Sequence, residues 1–162
     1  MADIRTLKQI FSRARSFAVV GLSADWFRPS YFAAKYLQER GFQIIPVNPR
    51  YAEVLGAKCF PDLRSIPDRI DVVDVFRKPA EAPAIARDAV AIGARVLWLQ
   101  LGVISPEAEE IARSGGLTVV SDRCVKIEHA RLFGGLGWCG VNTGIISAQR
   151  AVQPPRPGRT HE

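Results

Sequence analysis

Apolar residues along the chain keep two rhythms that alternate with each other. Ile4, Leu7, Ile10, Phe11 and Ala14 recur three and four apart, which predicts an amphipathic helix over residues 2–15. Phe17–Leu22 is a short apolar run with Gly21 near its end, the pattern of a buried strand. A helix is predicted from Pro29 to Arg40, with Phe32, Ala33, Tyr36 and Leu37 inward and Gly41 as its stop. Phe42–Val47 reads as the next strand, closed by Asn48-Pro49. The connection EVLGAKCFPDLRSIPDR is rich in turn residues and holds one short helical piece. Asp71–Phe76 alternates acidic and apolar residues and then stays apolar, so it reads as a third strand. Pro83–Ile92 is helical and ends at Gly93; Arg95–Leu99 is a strand. Ser105-Pro106-Glu107 opens a helix, because serine caps and proline fits the first turn. That helix ends at Gly115-Gly116, before the strand Leu117–Ser121 and a helix over 123–132. Strands alternating with helices imply a parallel sheet covered on both faces. The expectation is an α/β fold: one doubly wound domain with a five-stranded, mainly parallel sheet.

Composition narrows the class without changing that picture. A chain of 162 residues suits one domain, and 48% hydrophobic with 23% charged residues is ordinary for a globular protein. The domain is expected over residues 1–150: N-terminal helix 2–15, core 16–133 and glycine-rich extension 133–150. Residues 151–162 form an expected disordered tail. No apolar run reaches membrane-span length and no signal peptide precedes the first helix, so no membrane partner and a cytoplasmic location are expected. Cys59, Cys124 and Cys139 make an odd set without C-x-x-C spacing, which argues against a disulfide framework or a zinc knuckle.

Net charge is +6, but its placement matters more than its size. Arg5, Lys8, Arg13 and Arg15 against Asp3 give +3 at residues 1–16; Arg150, Arg156 and Arg159 against Glu162 give +2 at residues 150–162. The body therefore carries only +1, which does not support a basic face for nucleic acid.

Candidate chemistry gathers in FAVVGLSADWFRPSY, residues 17–31. Gly21 lets the backbone bend toward a ligand, and the free N–H groups of the following helix attract an anion. A dinucleotide fingerprint would carry further glycines and an acidic residue at the end of the second strand. Here Ser23, Trp26 and Asn48 stand at those places, which counts against NAD. Ser23 and Ser30 supply hydroxyls and Arg28 a fork-shaped cation. Pro29 starts the helix without wasting an N–H. Arg50 follows the second strand, and Phe76-Arg77-Lys78 follows the third. All of these lie at C-terminal strand ends, where open α/β sheets bind ligands.

The segments VVGLSADWFRPSY, IIPVNPR, GAKCFPDL, DVVDVFRKP, VLWLQLGV and TVVSDRCVKIEHARL carry a specific resemblance over residues 16–133. In order and spacing the chain resembles small stand-alone CoA-binding proteins, whose fold is like the CoA-binding domain of the succinyl-CoA synthetase alpha subunit. The resemblance implies a Rossmann-like sheet that binds coenzyme A or an acyl-CoA. It would place Gly21, Leu22, Ser23, Arg28, Ser30 and Tyr31 at the phosphates. Asn48, Pro49 and Arg50 would face the adenosine 3′-phosphate, and Phe76, Arg77 and Lys78 the adenine. Gln100 and Gly102 would lie near the pantetheine exit.

Other residues read more plainly. Tyr31, Phe32 and Trp98 fit core positions, and Cys59 and Cys124 fit small buried hydrophobes. A sharper alternative for Cys124 is a mixed disulfide with the pantetheine sulfur, because it follows a strand end. Cys124 and His129, five apart on a helix, point in different directions and do not form a catalytic couple. Glu107, Glu109 and Glu110 make an acidic helix start favoured by the helix dipole. The sequence shows no nucleophile–base pair, metal cluster or paired carboxylates, so a binding module leads. Its rivals are a CoA-dependent acyl-transfer or ligase subunit needing a partner chain, and an NAD-binding redox sensor. The tail loop GGLGWCG could supply chemistry, and the apolar tail offers a homodimer contact.

Overall fold

In the computed structural model, which describes residues 2–134, the chain alternates strands and helices in the expected order. The strands are β1 (Ser16–Val20), β2 (Gln43–Val47), β3 (Glu53–Val54), β4 (Ala57–Lys58), β5 (Val72–Val75), β6 (Val96–Leu99) and β7 (Thr118–Val120). The helices are α1 (Ile4–Arg13), α2 (Pro29–Glu39), α3 (Ala82–Ala91), α4 (Pro106–Ser114) and α5 (Val125–Phe133). Five strands form one sheet in the order β2-β1-β5-β6-β7 with every neighbour parallel.

Side chains alternate across that sheet, so each strand feeds two cores. Ala18, Val20, Val73, Val75, Leu97 and Leu99 pack with α3 and α4 on one face. Phe17, Val19, Val72, Trp98 and Val120 pack with α1, α2 and α5 on the other. Trp98 is fully buried, and its indole N–H donates to the Arg123 carbonyl at 2.8 Å. The helix starts follow capping chemistry: Asp3 accepts from the Thr6 amide at 2.8 Å, and Ser105 from the Ala108 amide at 3.3 Å.

Two expectations need correction. Phe32 is 47% exposed; α2 buries Ser30, Ala33, Ala34 and Leu37, a stripe of mostly small residues that lets the helix approach the sheet. The turn-rich connection contains, besides the expected short helical turn at Leu63–Ser65, the antiparallel β3–β4 hairpin. Leu55 and Gly56 turn it, both at positive φ (54° and 72°). Leucine in that conformation breaks the usual Asn-Gly signal, which hid the hairpin.

The connection from β1 runs through α2 to β2 on one side, while β5 lies on the other side of β1. The loops after β1 and β5 therefore diverge and open a crevice at the carboxyl edge of the sheet. Of the glycine-rich extension over 133–150, Phe133 ends α5 and Gly134 caps it; the rest, with the remainder of the GGLGWCG loop, the tail and the dimer contact expected there, lies outside the described residues. Among the described residues, no helix is long and apolar enough to cross a membrane.

Candidate functional site

Gly21 ends β1 at φ +87°, and its N–H donates to the Val47 carbonyl at 2.8 Å. A Cβ there would lie 2.6 Å from the Phe76 carbonyl oxygen. The fold itself thus demands glycine, because the ends of β1 and β5 approach too closely for a side chain. The loop beyond it is knit by its own polar groups. The Ser23 amide donates to Ser30 Oγ at 3.1 Å, the Asp25 amide to Ser23 Oγ at 3.0 Å, and the Phe27 amide to Asp25 Oδ1 at 3.0 Å. Ser30 is buried, so its hydroxyl shapes the turn. Arg28 occupies the N-cap of α2 without a side-chain cap, and Pro29 fills the first turn. At that helix start the Arg28 amide donates to the Asp25 carbonyl at 3.0 Å, the Tyr31 and Phe32 amides donate to the Arg28 carbonyl at 3.0 and 3.3 Å, and Pro29 has no N–H.

Asn48 joins the loops after β1 and β2. Its Nδ2 donates to the Leu22 carbonyl at 3.1 Å, and its Oδ1 accepts from the Arg50 amide at 3.0 Å. The Cys59 thiol donates to the Asn48 carbonyl at 3.3 Å. Both ends of this carboxamide are therefore engaged within the protein.

The result is a cleft of about 650 Å³. Gly21, Ser23, Arg28, Ser30, Asn48, Arg50, Phe76, Arg77 and Gln100 all border it. Arg28 lies 3.8 Å from Asp25, with a side chain 70% exposed. Among the described residues, Arg50 and Arg77 have no ion-pair partner. Five expected residues sit elsewhere. Leu22 is fully buried in the core and Tyr31 packs against the same core. Pro49 borders a neighbouring hollow of about 430 Å³, which shares Arg77 with the cleft and is walled by Val47, Pro61 and Ile85. Lys78 is exposed and starts a short helical turn, its amide donating to Glu81 Oε2 at 3.3 Å. Gly102 is exposed, and its amide donates to Asp122 Oδ1 at 2.8 Å.

Sequence reasoning missed Asp25, Tyr51, Leu101, Val103 and Ile127, which also border the cleft, and it read Cys124 first as core. Leu101, Val103 and Cys124 follow β6 and β7, so the strand-end rule that selected Arg77 also covers them. It also missed Asp74, an acid in the middle of the central strand β5. Asp74 is fully buried; its Oδ1 accepts from Gln100 Nε2 at 2.5 Å, and Oδ2 has no partner among the described residues. Burial pushes its pKa from 3.8 up to about 7, against the lowering effect of the Gln100 hydrogen bond. Gln100 Oε1 in turn accepts from the Val125 amide at the start of α5, at 3.3 Å.

The Cys124 thiol is pushed up chiefly by burial, with the Asp74 charge adding to the effect. His129 is held below its ordinary value, first by burial and then by Arg40. Its Nδ1 lies 3.0 Å from the Tyr36 hydroxyl, among the rings of Phe11, Phe42 and Phe133. This histidine is satisfied within an aromatic nest. Among the described residues no three His, Cys, Asp or Glu side chains group to hold a metal.

Known proteins resemble this chain to different extents. YneT of Bacillus subtilis is 40% identical over 124 residues, covering 76% of this chain and 92% of YneT. The solved structure of a hypothetical protein from Pyrococcus horikoshii OT3 superposes with a TM-score of 0.80 at 40% identity, covering 82% of this chain and 93% of that one. The ADP-forming acetate–CoA ligase of Methanocaldococcus jannaschii is 23% identical over 129 residues, covering 75% of this chain but only 18% of the ligase. The family model described as CoA binding domain matches residues 15–130, most of the chain and every strand and loop that forms the cleft. The chain therefore belongs to the CoA binding domain family.

Proposed function

We propose that the cleft binds coenzyme A or a small acyl-CoA. The observation that carries this reading is the meeting of Arg28, Arg50 and Arg77, from three separate strand-end loops, in one cleft beside the start of α2. A ligand with several phosphates matches those three cations, because guanidinium forks favour phosphate oxygens. The diphosphate would lie between the Gly21 turn and Arg28, and the 3′-phosphate toward Arg50. The hollow next to Arg77, walled by Val47, Pro49, Pro61 and Ile85, suits the nucleobase. The pantetheine arm would then cross Phe76 toward Gln100 and Cys124. When bound, CoA supplies a thiol or thioester; the chain holds and orients it.

Asn48 argues against an NAD-binding redox sensor. Its carboxamide is spent on the Leu22 carbonyl and the Arg50 amide, leaving no acidic acceptor for a ribose diol. A mixed disulfide of Cys124 with pantetheine is disfavoured by the raised thiol pKa, since the thiolate is the attacking form. A second reading draws on the M. jannaschii ligase, in which the matched part is 18% of the chain. On that reading the protein is a CoA-holding subunit, and a partner chain supplies acyl transfer or ligation.

Calorimetric titration of the full chain with CoA, dephospho-CoA and NAD tests the proposal. The expected order of affinity is CoA, then dephospho-CoA, then NAD. NAD binding tighter than CoA, or no CoA binding at all, overturns it.

A further inference from the structure

The chemistry of the cleft changes along the sheet edge, and strand order sets the direction of change. Arg50 follows β2, Gly21 and Arg28 follow β1, and Arg77 follows β5. Gln100, Leu101 and Val103 follow β6, and Cys124 and Ile127 follow β7. Four strand spacings separate β2 from β7, about 19 Å in all. One end of the cleft is cationic, while among the described residues the side chains bordering the other end carry no charge.

We propose that the β6–β7 end is an acyl subsite, and that the cleft selects a CoA thioester bearing a short aliphatic acyl group over both free CoA and carboxyacyl-CoA. This deepens the CoA reading and rests on it. Leu101 is 56% exposed although it borders the cleft. Its exposure is built in: the Val103 amide donates to the Gln100 carbonyl at 2.8 Å, and the Gly102 amide to Asp122 Oδ1 at 2.8 Å. That pinned turn, with Gly102 at φ +83°, holds Leu101 out as a wall. Covering such a surface with an alkyl group is favourable and requires no reordering of the loop. Cys124 stays a neutral thiol and adds to the apolar wall.

Among the described residues no cation borders the end where the acyl terminus of a carboxyacyl group would lie. Outside that border, Lys126 lies over the rings of Phe32 and Tyr36 at 5.9 and 5.8 Å, and Arg123 pairs with Glu128 at 3.3 Å.

The test is titration of the full chain with CoA, acetyl-CoA, butyryl-CoA and succinyl-CoA. Each buried methylene is worth about fourfold in affinity, so butyryl-CoA, with two more of them, should bind about fifteenfold tighter than acetyl-CoA. Succinyl-CoA should bind no tighter than CoA. Leu101→Asp, a change at an exposed position, should bring the butyryl-to-CoA affinity ratio close to one; Leu101→Ala should lower it less. Equal binding of CoA and butyryl-CoA, or a preference for succinyl-CoA, overturns the acyl subsite while leaving the CoA reading standing. Failure of all four to bind overturns both.

Discussion

Asp74→Asn isolates a buried carboxyl whose ionisation works against the fold. Asp74 has no exposed surface, one hydrogen bond from Gln100 and one oxygen without a partner. Its pKa is raised from 3.8 to about 7 by burial. A raised carboxyl pKa means that the folded state holds the proton more tightly than the unfolded chain. The resulting stability is fully present below about pH 4 and is lost as pH rises through about 7. Three pKa units correspond to about 4 kcal/mol, an upper bound for the loss at pH 8.5. Asparagine keeps the acceptor for Gln100 Nε2 and cannot ionise, at the expense of an amide N–H₂ facing the unpartnered side, about 1–3 kcal/mol at any pH. That offset does not vary with pH, so the informative quantity is a difference of differences. Urea denaturation of both proteins should be followed from pH 4 to pH 8.5. The stability of Asp74→Asn minus that of the parent is expected to rise by about 2–4 kcal/mol, between about pH 4 and pH 7, and to level off above pH 7. A flat difference would refute the assignment of a buried, neutral-range carboxyl at the centre of β5.

Gly21→Ala should destabilise the fold by about 2 kcal/mol or more, because alanine is strained at φ +87° and its Cβ meets the Phe76 carbonyl; thermal denaturation reads this without any ligand. Arg77→Ala should weaken CoA binding by about 1.5–3 kcal/mol in calorimetry, the range for a hydrogen bond to a charged group. Arg28→Ala should cost about 1 kcal/mol, since that side chain is largely exposed and shares its charge with Asp25; an effect larger than that of Arg77→Ala would reverse the ranking. Asn48→Ala should both lower stability by about 2 kcal/mol and weaken CoA binding, since it cuts the hydrogen bond to Leu22 that joins the β1 and β2 loops and the one from Arg50 that closes the turn after β2; denaturation and titration of the same preparation check the two effects.

The architecture was legible because burial on both faces of a parallel sheet leaves long apolar runs, and glycines mark where helices stop. Capping residues such as Asp3 and Ser105 reported helix starts for a local reason that tertiary packing did not override. The β3–β4 hairpin was hidden because Leu55 takes a left-handed conformation that its side chain does not advertise. The site was partly legible for a topological reason: strand ends collect at one edge, so Gly21, Arg28, Arg50 and Arg77 could be grouped before any coordinates. Periodicity could not say which polar groups the protein would use for itself. Asn48 and Ser30 turned out to be engaged in loop hydrogen bonds, and Leu22 and Tyr31 point their bulk into the core. Asp74 was visible as an acid in an apolar strand, but only the pairing with Gln100 across two strands shows that it lies under the cleft floor.

The most direct test of the central claim is a crystal structure of the full chain grown with coenzyme A. The account predicts the diphosphate at the Gly21 turn beside Arg28, the adenine in the hollow next to Arg77, and the sulfur near Cys124 and Leu101. Coenzyme A bound away from the carboxyl edge of the sheet, or running in the opposite direction along it, would contradict the account.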